Sequence, residues 1–194
     1  MKIIDTITDH IVVKAEAGDL DIIYRLFEEA ILFQQKNNYT GWNNYDRACL
    51  QSDIKKGLLY KIVSKEDIIC IFCVCYTDAL IWRAMETGNA FYLHRIVLNR
   101  RFKGEKVFKK VLDWAVSHAL EQKREYIRMD TWASNEKIIN YYKTYGFVFI
   151  ENYTTADTAG LPVQHRNLDV ALLELKVEHF KRPGDQYSQK DTGT

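Results

Sequence analysis

The sequence predicts an α/β fold in which one mixed sheet carries helices on both faces. Two observations support this prediction. Apolar runs of strand length alternate along the chain with segments whose apolar residues recur at three- and four-residue steps, the spacing of an amphipathic helix. The resulting order is strand, two helices, three antiparallel strands, helix, strand, helix and two strands. Such an order places helices on each side of a single sheet.

The first half of the chain predicts a strand, two helices and a hairpin. A short strand begins at Ile11, and after Asp19, which is available as an N-cap, apolar residues return at helical spacing. The polar, aromatic-rich segment NNYTGWNNYDRACLQSDIKKG predicts a second short helix. Two apolar runs then flank a charged turn from Ser64 to Asp67, which indicates an antiparallel hairpin.

The second half predicts two strand–helix units and a final strand pair. The run AFYLHRIVL is a strand, and the helix that follows it has apolar residues at helical spacing from Val107 to Ala119. The next strand is EYIRMDTW, and the next helix is capped by Ser134 or Asn135 and ends before Gly146. FVFIENY and ALLELKV are the last two strands.

Composition indicates one domain and argues against some partners. The 194-residue chain has 27 basic and 26 acidic residues, a net charge of +1, so no overall field favours nucleic acid or a membrane surface. We expect residues 1–180 to form a single domain, because no linker-like stretch interrupts them. Residues 181–194 contain too few apolar side chains to pack, so we expect a flexible tail.

Three of the four cysteines lie in the apolar run IICIFCVCY, which indicates a buried strand. Alternation puts Cys73 and Cys75 on one face and Cys70 on the other, and no histidine or further cysteine lies near in sequence to complete a metal site. We therefore expect reduced core thiols and no metal. The run is too short to cross a bilayer, so we expect a cytoplasmic protein without disulfides.

The segment FKGEKVFKKVL connects the fourth strand to its helix. Turns of this kind hold phosphate groups, because the first N–H groups of a helix have no partner within it and carry partial positive charge. Several glycines are usual at such a site, but this turn has only Gly104.

The stretch from Phe91 to Phe149 resembles the GNAT superfamily of acyl-CoA-dependent N-acyltransferases. YLHRIVLNRRFKGEKVFKKVLDWA followed by IRMDTWASNEKIINYYKTYGF is similar to the cofactor half of that family: strand, R/Q-x-x-G-x-G/A turn, helix, strand, and a helix of pattern N-x-x-x-x-x-x-Y-x-x-x-G-F. The resemblance implies a mostly antiparallel sheet with a central parallel strand pair that splays apart to admit the cofactor. From Ile11 to Val177 the element order is consistent with it.

The resemblance implies acetyl-CoA as cosubstrate and assigns residues to it. Ile96 and Leu98 would offer backbone contacts to the pantetheine and the acyl carbonyl, and Asn135 would meet the cofactor from the opposite side. Tyr142 falls at the position that protonates the departing thiolate, a role that suits a phenol with a pKa near ~10. The alternative for Tyr142 is a core position on an apolar helix stripe.

The pyrophosphate turn departs from the family pattern. Lys103 stands at the R/Q position, Lys106 at the first glycine and Phe108 at the Gly/Ala position, beside Gly104. In one interpretation the turn still presents helix N–H groups, and its lysines and arginines compensate for a looser fit. In the other, Phe108 packs inward and closes the site. We favour retained but weakened cofactor binding, because Asn135, Tyr142 and the surrounding pattern would have little purpose on a filled site.

The general base and the acceptor site are less clearly marked. Many GNAT relatives carry a glutamate six residues before the position of Leu98, where this chain has Tyr92. Strand alternation puts His94 on the same side, and its ordinary pKa suits removal of a proton from an amine; a structural histidine is the alternative. Candidate acceptor-binding residues are Trp42, Tyr45, Tyr92 and His165.

The predicted function is therefore transfer of an acetyl group from acetyl-CoA to a primary amine of a small molecule or peptide. The alternative is a degenerate relative that binds an acyl-CoA, another ligand or a protein partner without chemistry. We expect a monomer or homodimer with no metal, nucleic acid or membrane partner.

Overall fold

A computed structural model of the chain describes residues 10–180. Its strands and helices, in chain order, are β1 His10–Lys14, α1 Leu20–Lys36, α2 Arg47–Lys56, β2 Leu59–Ser64, β3 Asp67–Cys75, α3 Ala79–Trp82, β4 Ala90–Leu98, α4 Val107–Glu121, β5 Tyr126–Trp132, α5 Glu136–Lys143, β6 Val148–Thr154 and β7 Asp169–Lys176. The predicted tail, residues 181–194, lies outside the described residues, as do residues 1–9. Within residues 10–180, no helix combines the length and the apolar character that crossing a bilayer requires.

The seven strands form one sheet in the order β1-β2-β3-β4-β5-β7-β6. Every neighbouring pair is antiparallel except β4 and β5, which run parallel at the centre. The predicted mixed, mostly antiparallel sheet is thus confirmed. Among the strands and α-helices of residues 10–180, one was not predicted: α3, a four-residue helix in the connection between β3 and β4. It is too short to show a helical period.

Helices cover both faces of the sheet. Strand β3 is buried along nearly its whole length, and its alternating side chains enter two different cores. Phe72 and Val74 pack in the core beneath α4 and α5, whereas Ile71 and Cys73 pack in the core beneath α1 and α2. All four cysteines have free thiols. The alternation predicted for this run therefore lets one strand contribute side chains to the cores on both faces of the sheet.

Local capping largely follows the sequence. Asn135 caps α5 by accepting a hydrogen bond from the Ile138 amide at 3.2 Å, and Gly146 has a φ of +94° beyond the end of that helix. Asp19 lies at the predicted N-cap of α1 but makes no capping bond there. Its carboxylate instead accepts from the Glu16 amide and from Lys61 Nζ, both at 2.7 Å.

A buried ion pair between Arg95 and Asp53 connects a bulge in β4 to α2. The register between β3 and β4 shifts between Ile71 and Cys73, and Arg95, opposite this shift, has a left-handed φ of +49°. The Arg95 guanidinium bonds the Asp53 carboxylate, and the two side chains are only 9% and 12% exposed. This pair connects the bulge to the last turn of α2.

We expect Asp53→Ala to destabilise the fold by about 3–5 kcal/mol, because it leaves the Arg95 guanidinium buried without a counter-charge. Urea unfolding followed by circular dichroism measures the change. Asp113→Ala is the matched control, since it breaks a helix-surface pair with Lys109 that is worth only about 0.3–0.5 kcal/mol. Equal effects of the two variants would contradict the prediction.

Candidate active site

The two parallel strands part half-way along their length. Backbone pairing of β4 with β5 begins at Ala90↔Tyr126 and ends at Leu93↔Met129. Beyond this point His94 and Asp130 begin the two walls of an opening that we call the slot. It encloses about 70 Å³. Its lining residues are Trp42, Leu93, His94, Arg95, Ile96, Met129, Asp130, Thr131, Trp132, Tyr142, His165 and Leu168.

The open side of β4 leaves the Leu98 amide without a strand partner. The Asn99 amide donates to the Ile69 carbonyl of β3 at 2.9 Å. Because successive amides of a strand point to opposite sides, the Leu98 amide points away from β3, towards the side where β5 has separated. Leu98 is half-buried and lines a cavity between α4 and α5, next to the slot. Its amide is therefore a candidate hydrogen-bond donor in that cavity.

A groove continues from the slot between the beginning of α4 and the exposed side of α5. This α4–α5 groove has a volume of about 610 Å³ and mostly apolar walls. Its lining residues are Cys70, Ile96, Leu98, Phe102, Gly104, Glu105, Lys106, Val107, Phe108, Ile138, Tyr141, Tyr142 and Tyr145. Five of the residues that the sequence assigned to the cofactor, besides Tyr142, thus share one concave surface.

The glycine-poor turn keeps a backbone of the kind that glycines favour. Gly104 has a φ of +101°, and Lys106 has a left-handed φ of +49° immediately before α4 begins at Val107. Left-handed backbone is unusual for lysine and costs about 1–2 kcal/mol. The first N–H groups of α4 have no acceptor inside the helix, and they lie at the end of the groove. Lys106 therefore adopts a backbone conformation that glycine adopts more readily.

Phe108 packs inward without closing the groove. Its ring centroid lies 4.8 Å from that of Tyr142 and 5.0 Å from that of Tyr145, and the side chain is 7% exposed. The ring forms a wall of the groove rather than a plug. Phe108 therefore packs inward, as the second interpretation predicts, but a cavity remains beside it. Cofactor binding at the turn stays a prediction.

The basic residues of the turn are not equally available. Arg101 pairs with Asp67, Lys109 pairs with Asp113, and the Arg100 guanidinium lies over the Phe33 ring. Within residues 10–180, Lys103 and Lys106 make no ion pair, and both are exposed. Both lysines are therefore exposed positive charges, without an ion-pair partner among the described residues, beside the α4 N-terminus.

Tyr142 occupies the point where three cavities meet. It lines the slot, the α4–α5 groove and a third cavity of about 300 Å³, the α1 pocket, whose walls include Phe33, Trp42 and Asn135. Burial raises the pKa of the Tyr142 phenol above its ordinary value of 10. The hydroxyl therefore holds its proton at neutral pH. Asn135 faces the α1 pocket while its Oδ1 caps α5.

His94 lies between two carboxylates. Its Nδ1 is 3.2 Å from Asp130 Oδ1 in the slot, and its Nε2 is 3.3 Å from Asp78 Oδ2, before α3. Burial by itself lowers the pKa of His94, but the Cys75 sulfur and the carboxylates of Asp130 and Asp78 outweigh burial and hold it well above 6.5. The predicted base role assumed an unperturbed pKa. That assumption is corrected here, because a protonated imidazole cannot accept a proton.

Asp130 responds in the opposite direction. Burial, the largest single cause, raises its pKa, but the contact with His94 and the nearby His165 and Arg95 together outweigh burial and lower the pKa below the ordinary 3.8. Asp130 is therefore ionised. The cluster of Asp78, His94 and Asp130 carries two negative charges and one positive charge.

The predicted acceptor residues lie at different places. Trp42 lines the slot and packs against Trp132 with ring centroids 5.5 Å apart, and His165 lines the slot from the loop between β6 and β7. Tyr45 stacks on Phe27 and bonds Glu28, so it supports the α1–α2 connection. It lines none of the cavities described here.

Tyr92 is placed outside the slot. It lies in the part of β4 that remains paired with β5, is fully buried, and its hydroxyl accepts a hydrogen bond from Arg128 Nη1 at 3.2 Å. We do not retain Tyr92 as an acceptor residue, because the strands have not yet parted at its position.

A fourth cavity, the acidic pocket, adjoins the slot on the side of α2 and α3. It measures about 330 Å³ and shares His94, Arg95 and His165 with the slot. Two carboxylates, Asp53 and Asp78, line it. The sequence analysis missed both, together with Asp130. Asp130 lies near the end of the predicted strand EYIRMDTW, and a carboxylate in an apolar strand could have marked it as a candidate site residue. Nothing in the linear pattern connects Asp130 with Asp78.

A mixed seven-stranded sheet whose central parallel strands part beside a helix N-terminus is the fold of the GNAT acetyltransferases. A GNAT acetyltransferase from Listeria monocytogenes 4b F2365 has a TM-score of 0.69 at 22% identity, covering 86% of this chain and 94% of that one. One from Streptococcus agalactiae 2603 has a TM-score of 0.69 at 16% identity, covering 86% and 95%. The ribosomal-protein-S18-alanine N-acetyltransferase of Escherichia coli has a TM-score of 0.60 at 11% identity, covering 92% and 99%.

The sequence comparison is consistent with the fold. The uncharacterized N-acetyltransferase YesJ of Bacillus subtilis (strain 168) is 24% identical over 105 residues, which are 52% of this chain and 58% of that protein. The match thus spans less than two thirds of that relative. No family model matches the chain. The chain has the GNAT fold, and the predicted resemblance to the GNAT superfamily is confirmed at that level.

Proposed function

We propose that this protein is an N-acetyltransferase that moves the acetyl group of acetyl-CoA to a primary amine. One observation carries the proposal: β4 and β5 part after Leu93 and Met129 to open a slot, and the Tyr142 phenol lies where that slot meets the α4–α5 groove. The GNAT fold of the acetyltransferases described above supports it.

The residues present suit coenzyme A. The diphosphate would bind at the turn, where Gly104 and the first amides of α4 provide donors and Lys103 and Lys106 provide charge. The apolar groove walls suit the pantetheine arm, and the Leu98 amide suits the thioester carbonyl. Lysines bind phosphate as point charges and less directionally than arginine, so we expect a looser diphosphate site than several glycines would give.

The reaction is direct transfer. The neutral amine nitrogen attacks the thioester carbon, while the Leu98 N–H donates to the oxygen on which negative charge develops. The C–S bond breaks, and Tyr142 gives its proton to the leaving thiolate. The proton that the nitrogen loses on forming the amide balances the one that Tyr142 gives up, and it returns to the phenolate. His94 stays protonated and does not act as the base.

Acetyl-CoA binding is the first test of the proposal. A ligand at about 100 times its Kd stabilises the native state by about 2.7 kcal/mol, and about 1 kcal/mol shifts the melting temperature of a chain this size by about 2–4 °C. We therefore expect saturating acetyl-CoA to raise the melting temperature by at least about 5 °C, with free coenzyme A and longer acyl-CoAs as comparisons.

Calorimetry and turnover distinguish the enzyme from its alternative. Isothermal titration that detects no acetyl-CoA binding at about 1 mM, a weak Kd for a cosubstrate, would reject the proposal. Binding without release of free thiol in the presence of a panel of amines would favour a degenerate relative that binds acyl-CoA without chemistry.

A further inference from the structure

We propose that the acceptor enters through the acidic pocket as a small alkylammonium ion, and that Asp78 Oδ2 and His165 Nε2 accept hydrogen bonds from its nitrogen. The ammonium ion releases one proton to bulk water before the neutral nitrogen attacks the thioester carbon. This inference rests on the proposed function and specifies its acceptor. It identifies both the entrance and the chemical class: a primary amine with an apolar body and no carboxylate beside the nitrogen.

Two buried polar atoms beside the acidic pocket have no hydrogen-bond partner within residues 10–180. Asp78 is 10% exposed at its side chain, and its Oδ2 has no hydrogen-bond partner within residues 10–180. The 3.3 Å contact with His94 is close enough for an ion pair but lacks hydrogen-bond geometry. His165 is 6% exposed, and its Nε2 is also buried without a partner. Buried acceptors left unbonded are costly, so their presence around one cavity indicates a ligand that donates.

The charges around the acidic pocket favour a cation. Asp53 and Arg95 neutralise each other, whereas the cluster of Asp78, His94 and Asp130 retains a net charge of −1, with each side chain about nine-tenths buried. Burial lowers the pKa of His165 to about 4, so this imidazole is neutral and adds no positive charge. A buried uncompensated charge is unfavourable. An ammonium ion entering the pocket would neutralise this remaining negative charge, whereas a carboxylate would add a second uncompensated negative charge.

The acidic pocket leads into the slot and has the size of a small ligand site. His165 lines both the acidic pocket and the slot, so a nitrogen held by it lies on the path to the thioester carbon. The remaining walls are mainly apolar and include Val74, Leu80 and Leu161. A volume of about 330 Å³ corresponds to about ten waters at ~30 Å³ each. The α1 pocket is the other route to the slot, but Arg100 lines it and would repel a cation.

Pentylamine and norleucine provide a matched pair of probes, since they differ only by the carboxylate beside the nitrogen. We expect kcat/KM to be at least about tenfold higher for pentylamine. Asp78→Asn should raise the KM for pentylamine at least about tenfold with kcat changed less than about threefold, because a charge-assisted hydrogen bond is lost while Tyr142 is untouched. His165→Gln provides an independent second variant with the same expected direction. Asp21→Asn, which removes an exposed carboxylate at the start of α1, should change neither constant.

Direct binding separates this inference from the proposed function. Calorimetry with pentylamine alone, without acetyl-CoA, should show binding that Asp78→Asn weakens. Such binding without any acetyl transfer would retain the acceptor site and overturn the enzyme. Transfer to pentylamine that is unaffected by either variant would retain the enzyme and overturn this site.

Two further outcomes overturn the inference. One is the absence of detectable pentylamine binding to the unmodified chain at about 10 mM, because a Kd weaker than this corresponds to very little binding free energy. The other is a loss of amine binding after dialysis against EDTA. Asp78, His94 and Asp130 offer ligand atoms within 4.8 Å of one another, and an EDTA effect would assign these carboxylates to a metal ion instead.

Discussion

Replacing Tyr142 by phenylalanine is expected to lower kcat for acetyl transfer at least about tenfold, with the fold intact. General acid catalysis contributes about 10²–10⁴-fold where the proton donor is well placed, and each tenfold loss corresponds to about 1.4 kcal/mol of barrier. Tyr142 lies at the meeting point of the slot and the groove, and burial raises the pKa of its phenol. The variant retains the ring that packs on Phe108, so stability and acetyl-CoA affinity should change little.

Tyr60→Phe is the control for this prediction. Tyr60 is also a buried tyrosine, 7% exposed, but it packs on Trp114 in the middle of α4 and lines none of the slot, the groove and the two pockets. Loss of its hydroxyl should leave kcat unchanged. Thiol release measured at saturating amine gives kcat for both variants. Equal rates for Tyr142→Phe and the unmodified chain would remove the acid role.

Replacing Gly104 by alanine is expected to raise the Kd for coenzyme A at least about tenfold. Alanine at a φ of +101° costs on the order of 1–3 kcal/mol. The turn relieves that strain by rotating its amides away from the diphosphate. No atom lies within 4 Å of the added Cβ, so steric collision inside the protein is not the cause. We expect the effect to arise from the backbone conformation of the turn at which we propose that coenzyme A binds.

Gly88→Ala is the matched control. Gly88 also has a positive φ, +76°, and open space where the added methyl group would lie, but it precedes β4, at the end where β4 and β5 are paired. Both variants should lose similar stability in thermal unfolding. Only Gly104→Ala should weaken coenzyme A binding in calorimetry. A similar loss of affinity in both would indicate a general loss of stability and contradict a specific role for the turn.

The fold was largely predictable because its signals are local. The alternation of IICIFCVCY, the helical spacing after Asp19 and the pattern from Asn135 to Phe147 each depend on neighbours only a few residues apart. The same is true of the turn at Gly104, whose position between strand and helix is readable from the chain. Local periodicity does not report how a lysine at position 106 adjusts its backbone, and only the structure gave its left-handed φ.

The charge state of His94 could not be predicted. Its raised pKa depends on Asp78, from the connection before α3, and on Asp130, from β5, which are separated from it by 16 and 36 positions and meet it only in the folded sheet. Tyr92 was misplaced for a related reason. Strand alternation puts it on the side of His94, but the point at which β4 leaves β5 falls between the two residues.

The sequence by itself determined the order of strands and helices, the phosphate-type turn and the place of Tyr142 on its helix, because each is specified by spacing along the chain. Only the tertiary structure decided where the central strands part, which cavities meet at Tyr142, and that His94 is protonated between two aspartates. Those properties depend on distances between residues far apart in sequence, and electrostatic interaction and desolvation are set by such distances.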